Sequence, residues 1–429
     1  MNASSTAGKT EALQIPESVS QGASNIQAFA ELPDFLKDME TLNATQGLSL
    51  LLAAALQTRA SDVHLETKDD SAEVRFRVDG MLQEAGSLSP KSYGQLLSRI
   101  KLVSGIKLNV TERPQDGRFA FRPGKGGAIE VRSSTLPTEY GESVVLRILD
   151  PKNLVDMGKL GLREDLFALF EEEIQKPHGM ILVTGPTGSG KTTTLYAFLK
   201  HIQSTEKKIL TIEDPIEYRL KGISQTQADQ SKEYDFASGL TALLRQDPDV
   251  ILVGEIRDGS TAKTALQAAL TGHLVFSTLH TNEAAGTVSR LLSLGATAAN
   301  IAPALNLIIA QRLVRKVCGC AKLRSPTKEE QEKLQKALQG IPQKPRILQM
   351  AEIQGCAKCG GTGYLGRTGI FEGLQVDEET ENFLSNSPSS AQLKTFAKKK
   401  KMTTLYQDGM RKAAEGITAI EEVERVAAS

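Results

Sequence analysis

The feature that most constrains this chain is the eight-residue stretch Gly185-Pro-Thr-Gly-Ser-Gly-Lys-Thr192. It has the form G-x-x-x-x-G-K-[ST], with the apolar run Met180-Ile-Leu-Val-Thr184 before it and the helix-forming Thr192-Thr-Thr-Leu-Tyr-Ala-Phe-Leu199 after it. A strand feeding such a loop into a helix points backbone N–H groups and a helix N-terminus at one anion, which suits a phosphate. Gly185, Pro186, Thr187, Gly188, Ser189, Gly190, Lys191, Thr192 and Thr193 are therefore the expected nucleotide-binding residues. Lys191 is expected on the terminal phosphates and Thr192 on Mg²⁺. Further short apolar runs at 209–212, 250–253 and 274–278 alternate with helical segments. That rhythm predicts an α/β fold with a mostly parallel sheet wrapped by helices.

Three segments supply the acids and imidazoles such a site needs. Asp249-Val-Ile-Leu-Val-Gly-Glu255 reads as a buried strand ending in a carboxylate. The Asp usual before that end is Gly254 here, which leaves Glu255 to meet Mg²⁺. Thr211-Ile-Glu-Asp-Pro-Ile-Glu217 sets Glu213, Asp214 and Glu217 at another strand end, where carboxylates orient and deprotonate an attacking water. His273 and His280, two of only five histidines, flank the strand within 271–282. A neutral imidazole at a strand end can hydrogen-bond a γ-phosphate oxygen and report its loss.

Composition narrows the class. Lys plus Arg and Asp plus Glu both number 51, there is no Trp, and aromatic residues are 5 %. That balance disfavours a motor that tracks nucleic acid by charge and stacking. No apolar run approaches the roughly 20 residues of a membrane span, and the opening residues lack an apolar signal core. A cytoplasmic enzyme without a membrane span is the expectation. Residues 1–45 read as a flexible leader with a short helix over 26–39, and 46–150 as an amino-terminal α+β domain. A linker is expected over 151–162, the domain that carries the phosphate loop over 163–310, and a C-terminal helical extension over 311–429. Lys398–Lys401 reads as a solvated helix face. Cys318-Gly-Cys320 and Cys356-Ala-Lys-Cys359 form two close pairs that suit a tetrahedral structural zinc site within 318–359. Four reduced, metal-free thiols are the other reading.

The loop 185–194, the acidic box 211–218, Arg245-Gln-Asp-Pro-Asp-Val-Ile-Leu-Val-Gly-Glu-Ile-Arg-Asp258 and the histidine box 271–282 resemble, in order and spacing, the secretion ATPase superfamily that drives type IV pili and type II secretion. Ala60-Ser-Asp-Val-His-Leu-Glu66, Arg75-Phe-Arg-Val-Asp-Gly80 and Pro114-Gln-Asp-Gly-Arg-Phe119 extend the resemblance over about 45–429. It implies a RecA-like P-loop domain preceded by a smaller PAS-like domain, and a homohexamer that hydrolyses ATP between the two domains of a subunit. It further implies Glu217 as the base, Glu255 holding Mg²⁺ through water, and His280 sensing the γ-phosphate with His273 in support. Arg132 and Arg147 stand where the family's phosphate-approaching arginines lie, with Arg118 a third candidate. The tetracysteine subdomain resembles that of pilus extension and type II secretion motors and is lacking in retraction motors, although the family's first pair is C-x-x-C and here it is C-x-C. The implied cofactors are ATP, Mg²⁺ and a structural Zn²⁺. The implied partner is an inner-membrane platform protein, which places the enzyme peripherally at that membrane. Pilus or pseudopilus assembly leads, a type II secretion motor of the same mechanism is its neighbour, and a DNA-translocating zinc-ribbon NTPase or a weakly hydrolysing nucleotide-binding scaffold are rivals.

Overall fold

The computed structural model describes residues 12–17, 19, 31–342, 345 and 348–427. The chain divides into two compact units. The first takes the residues up to 153 together with 318–321 and 353–365, and the second takes 154–317, 322–352 and 366–429.

The first unit is built from β1 (Leu13–Ile15), α1 (Leu32–Lys37), α2 (Ala44–Gln57), β2 (Ala60–Thr67), β3 (Ala72–Val78), β4 (Met81–Leu88), α3 (Pro90–Val103), β5 (Gln115–Pro123), β6 (Ile129–Thr138) and β7 (Gly141–Leu149). Its seven-stranded sheet runs β1-β5-β6-β7-β2-β3-β4. The strands alternate: Val63, Leu65, Val74, Phe76, Val131, Val144 and Leu146 are fully buried, whereas their neighbours face out. Period-two burial of this kind gives an antiparallel sheet one packed face and one polar face. Leu48, Leu51 and Leu52 of α2 join the same core, each contributing about 2 kcal/mol by burial. Asn43 starts α2 through a capping box with Gln46, which satisfies otherwise orphaned helix N–H groups.

The expected leader is only partly a leader. Leu13–Ile15 pairs in parallel with Phe121–Pro123 at the sheet edge, and Leu32, Leu36 and Met39 are buried in the core of this unit. The helix expected over 26–39 is found as α1, followed by a 3₁₀ turn at Asp38–Glu40; residues 26–30 lie outside the described residues.

The second unit contains α4 (Glu164–Gln175), β8 (Gly179–Thr184), α5 (Lys191–Ile202), β9 (Ile209–Glu213), β10 (Ser224–Gln227), α6 (Phe236–Leu244), β11 (Val250–Val253), α7 (Gly259–Leu270), β12 (Leu274–Leu279), α8 (Ala284–Ser293), α9 (Ala298–Ala304) and β13 (Leu305–Val317). Then follow β14 (Lys322–Arg324), α10 (Lys328–Ala337), β15 (Met350–Glu352), β16 (Tyr364–Gln375), α11 (Glu378–Ser385), α12 (Ser390–Lys399), α13 (Leu405–Ala414) and α14 (Ile420–Ala427). The main sheet runs β10-β9-β11-β12-β8-β13-β16, and β10 through β13 pair in parallel. Every residue of β8, β11 and β12 is buried. Helices cover both faces of such strands, so they read as continuous apolar runs rather than alternating ones.

The sheet continues past the boundary expected at residue 310, because that boundary falls inside β13 and β16 adds a seventh strand. The expected linker is also tied down: Met157 and Leu160 pack in the core of the second unit, and Lys200 holds Asp156 at 2.5 Å. Within the lysine run, Lys400 lies against Asp377 and 3.2 Å from Glu379, and over the Phe396 ring, so that residue is a bridging one rather than a solvated one. Among the described residues no helix is long and apolar enough to cross a membrane.

Candidate nucleotide site and thiolate cluster

Parallel pairing decides what meets at the carboxyl edge of the second unit's sheet. β12 runs beside β8 from Leu274↔Gly179 to Leu279↔Thr184, and beside β11 from Leu274↔Val250 to Ser277↔Val253. The segments leaving these strands are the loop 185–190, Glu255 and His280, and they share one edge, where open parallel sheets bind ligands. Gly190 takes a left-handed φ of 88° at the start of α5, a conformation glycine adopts without strain. Lys191, Thr192 and Thr193 then form the first helical turn, where N–H groups and dipole favour an anion.

The charged groups converge there. Lys191 Nζ donates to the carbonyls of Gly185 at 2.9 Å and Pro186 at 3.2 Å, lying over its own loop. Burial depresses its pKa, while Glu255 pulls the other way. Glu255 is 2.6 Å from Arg257 and 3.5 Å from His280 Nε2. Burial, followed by the charge of Lys191, holds His280 below its ordinary pKa, so the ring is largely neutral at pH 7 and can accept or donate one hydrogen bond. Thr184 and Thr281 share a hydroxyl contact of 2.6 Å, and Thr281 N donates to Thr184 Oγ1 at 2.8 Å. These bonds stitch the phosphate loop to the segment after His280. Gly254 explains the missing Asp: a Cβ there would sit 3.3 Å from Glu213 Cα and from Ile212 O, tighter than most real contacts.

His273 is not part of this edge. Its Nδ1 lies 3.0 Å from Ala268 O, and its carbonyl accepts from Gly179 N. It therefore sits at the amino end of β12, about 20 Å of strand away from His280. The acidic box also divides. Glu213 is buried, and its carboxylate accepts from Thr211 Oγ1 at 2.6 Å, from Gln225 Nε2 at 3.1 Å and from the Tyr196 hydroxyl. Burial raises its pKa against those hydrogen bonds. Asp214 is exposed and close enough to Arg257 to act on its charge, and Glu217 is half-buried beside Glu213.

The model for type II/IV secretion system proteins matches residues 40–425. The chain belongs to that family. It is 44 % identical over 427 residues to the type II secretion system ATPase E of Vibrio cholerae serotype O1, covering 97 % of this chain and 82 % of that one. It is 42 % identical over 377 residues to the type IV pilus assembly ATPase PilB of Myxococcus xanthus, covering 88 % and 66 %. Among solved structures, the pilus retraction motor PilT with bound ADP is similar at 27 % identity and a TM-score of 0.59, over 87 % of this chain and 95 % of that one. The Legionella pneumophila ATPase DotB shares the fold, with a TM-score of 0.63 at 24 % identity over 88 % and 94 %. With this family and this loop, the chain is an ATPase of the type II/IV secretion family.

Two further features of this secretion-family chain lie in its first unit. Arg118, Arg132 and Arg147 face one another across β5, β6 and β7 in a single row, which continues to Asp62 on β2 and Arg77 on β3. The nearly buried Asp62 carboxylate meets Arg147 Nε at 2.9 Å and Arg77 Nε at 3.6 Å. The four cysteines, far apart in sequence, come together: all four Sγ atoms lie within 4.8 Å of one another, and Cys318 and Cys356 are 3.9 Å apart. Thiolates about 2.3 Å from a tetrahedral metal would be separated by about 3.8 Å, so this set fits zinc. The single residue between Cys318 and Cys320 does not prevent closure. Cys359 Sγ accepts from Cys356 N at 3.1 Å and Gly363 N at 3.2 Å. Burial raises its pKa, but these N–H groups outweigh that and bring it to about 7; burial and the neighbouring sulfurs push Cys320 up to about 12.

Sequence reasoning missed several partners. Tyr196 and Gln225 engage Glu213; Gln311, fully buried, accepts from Thr194 Oγ1 at 2.8 Å behind the phosphate loop; and Arg312 donates to Asn282 O at 2.9 Å. Thr211 and Glu213, two apart on one strand, necessarily share a face. That spacing was the available signal that Glu213 turns inward with Thr211.

Proposed function

We propose that this ATPase is the motor of a machine that assembles a pilus or pseudopilus, with the type II secretion machine as the nearest form. The observation that carries the reading is the convergence of Lys191, Glu255 and His280 at one sheet edge, in a chain whose relatives are named for type II secretion and pilus assembly. Lys191, Thr192 and Glu255 would hold ATP and Mg²⁺, which supplies charge neutralisation on the phosphates. Glu217 takes the proton of the attacking water, and neutral His280 contacts the γ-phosphate. Arg132 and Arg147 approach the phosphates from the amino-terminal domain. Guanidiniums opposed across adjacent strands repel one another, so such a row suits an anion better than it suits stability. Hydrolysis gated by their arrival couples turnover to domain rotation. Cys318, Cys320, Cys356 and Cys359 hold a structural zinc, since four thiolates leave no open coordination position. The enzyme works as a homohexamer in the cytoplasm, held at the inner membrane by a platform protein.

The assembly is tested by light scattering with a non-hydrolysable ATP analogue, expecting six times the 46.3 kDa chain. A monomer under all conditions, or turnover stimulated by DNA, contradicts the reading. Deleting the gene in its host and scoring surface pili against secreted proteins separates the two machines.

A further inference from the structure

The loop 214–223 joins β9 to β10 without helix or strand of its own, yet it carries Glu217. Backbone groups in such a segment must find partners elsewhere, and here side chains provide them. Gln225, on the edge strand β10, donates from Nε2 to Tyr218 O at 3.0 Å and accepts from Leu220 N at 2.8 Å through Oε1. The same Nε2 donates to Glu213 Oε1 at 3.1 Å. The Tyr196 hydroxyl donates to Glu213 Oε2, and the backbone of Tyr218 and Glu217 lies against its oxygen. The Tyr196 ring meets Tyr218 edge-on, with centroids 6.4 Å apart. Tyr196 and Glu213 are 1 % and 3 % exposed. Burying a phenol and a carboxylate is costly unless both are hydrogen-bonded, and an apolar pair would fill the same volume without that cost. The polar pair instead fastens one loop, on the residues that bracket Glu217. Tyr196 also stands on α5, the helix that Lys191 begins, about 7.5 Å further along its axis. One rigid element therefore carries both the phosphate-loop lysine and the anchor of the acidic loop.

We propose that Tyr196, Glu213 and Gln225 are a positioning group for Glu217, fixing its carboxylate relative to the phosphate loop through α5 and touching neither nucleotide nor water themselves. This rests on the reading of Glu217 as the water-activating base. It reassigns Glu213 from that chemistry to the support of the residue that performs it.

The test uses the full chain and steady-state ATP turnover. Tyr196→Phe lowers kcat by ~10- to 100-fold, the scale of a misplaced reacting group, while KM for ATP and affinity for ADP stay within about twofold, because the phosphate loop is untouched. Gln225→Leu, on an edge strand, is the second variant should Tyr196→Phe fail to fold, and it gives a smaller loss of the same kind. In a Glu217→Gln background neither change lowers the residual rate further, since both act through that carboxylate. Wild-type kcat in a folded Tyr196→Phe or Gln225→Leu protein overturns the proposal. So does a loss that persists undiminished in the Glu217→Gln background. Wild-type turnover by Glu217→Gln alone instead removes the base reading beneath it, an outcome readable separately from the other two.

Discussion

The two edges of the second unit's sheet are built from the same strands and do opposite things. At the carboxyl edge, strands release Lys191, Glu255 and His280 toward one another. At the amino edge, His273 spends its hydrogen bonds on Ala268 and Gly179. Both histidines belong to one short segment, and only strand direction separates the one beside Glu255 and Lys191 from the one that closes a helix end. In parallel sheets, then, position along the strand assigns a polar residue its role before its chemistry does.

That contrast can be tested at decreasing amplitude. Lys191→Ala should raise the Kd for ADP at least ~100-fold, the effect expected of losing the proposed charge-assisted contact to the phosphates; titration of a fluorescent ADP analogue checks it. Next in size, His280→Ala should lower kcat ~10- to 100-fold, whereas His273→Ala should leave kcat within about twofold. Equal losses from the two would erase the distinction between the edges. The thiolate cluster of the first unit should affect stability and leave the chemistry alone. Purified protein should carry about one zinc per chain, and Cys356→Ser should lose it and lower Tm by more than ~5 °C, as metal analysis and calorimetry would show. The smallest effect is expected at Glu422, where burial raises the pKa but Arg425 and Arg315 outweigh it and hold it at about 2, against an ordinary 4.5. A carboxylate with a depressed folded pKa stabilises above its unfolded value and loses that as pH falls. Glu422→Gln should therefore lower Tm near neutrality and flatten its decline between about pH 4.5 and 2, so that the two proteins converge at the acid end.

Much of this was legible in the sequence. The phosphate loop, its strand and its helix follow from glycine spacing, an apolar run and a Lys-Thr pair. Glu255 follows from a buried strand with a carboxylate after it. The cysteine pairs announced a cluster because thiols in twos suit a metal. Direction was less legible. His273 and His280 look equivalent in a string of letters, although counting strand residues separates them. Glu213 and Glu217 look equivalent in Thr211-Ile-Glu-Asp-Pro-Ile-Glu217, and only the packing of Tyr196 from a different helix and Gln225 from a different strand tells them apart. The extent of the sheet was hidden too. β13 and β16 sit at one side of it, and between them in sequence come the cysteines and a charged helix, which draw the eye to a separate domain. The row Arg118–Arg132–Arg147–Asp62–Arg77 was visible only in part, because cross-strand register is set by pairing partners far apart in the chain.

The central claim is that the carboxyl edge is an ATPase site in which Glu217 activates water. It is tested most directly by comparing ATP turnover of the wild-type protein with that of Glu217→Gln, measuring molar mass on the same samples. The account predicts that the variant keeps the wild-type mass and ADP affinity and loses turnover by at least ~100-fold, the scale of a missing general base. Equal turnover in the two proteins would contradict it.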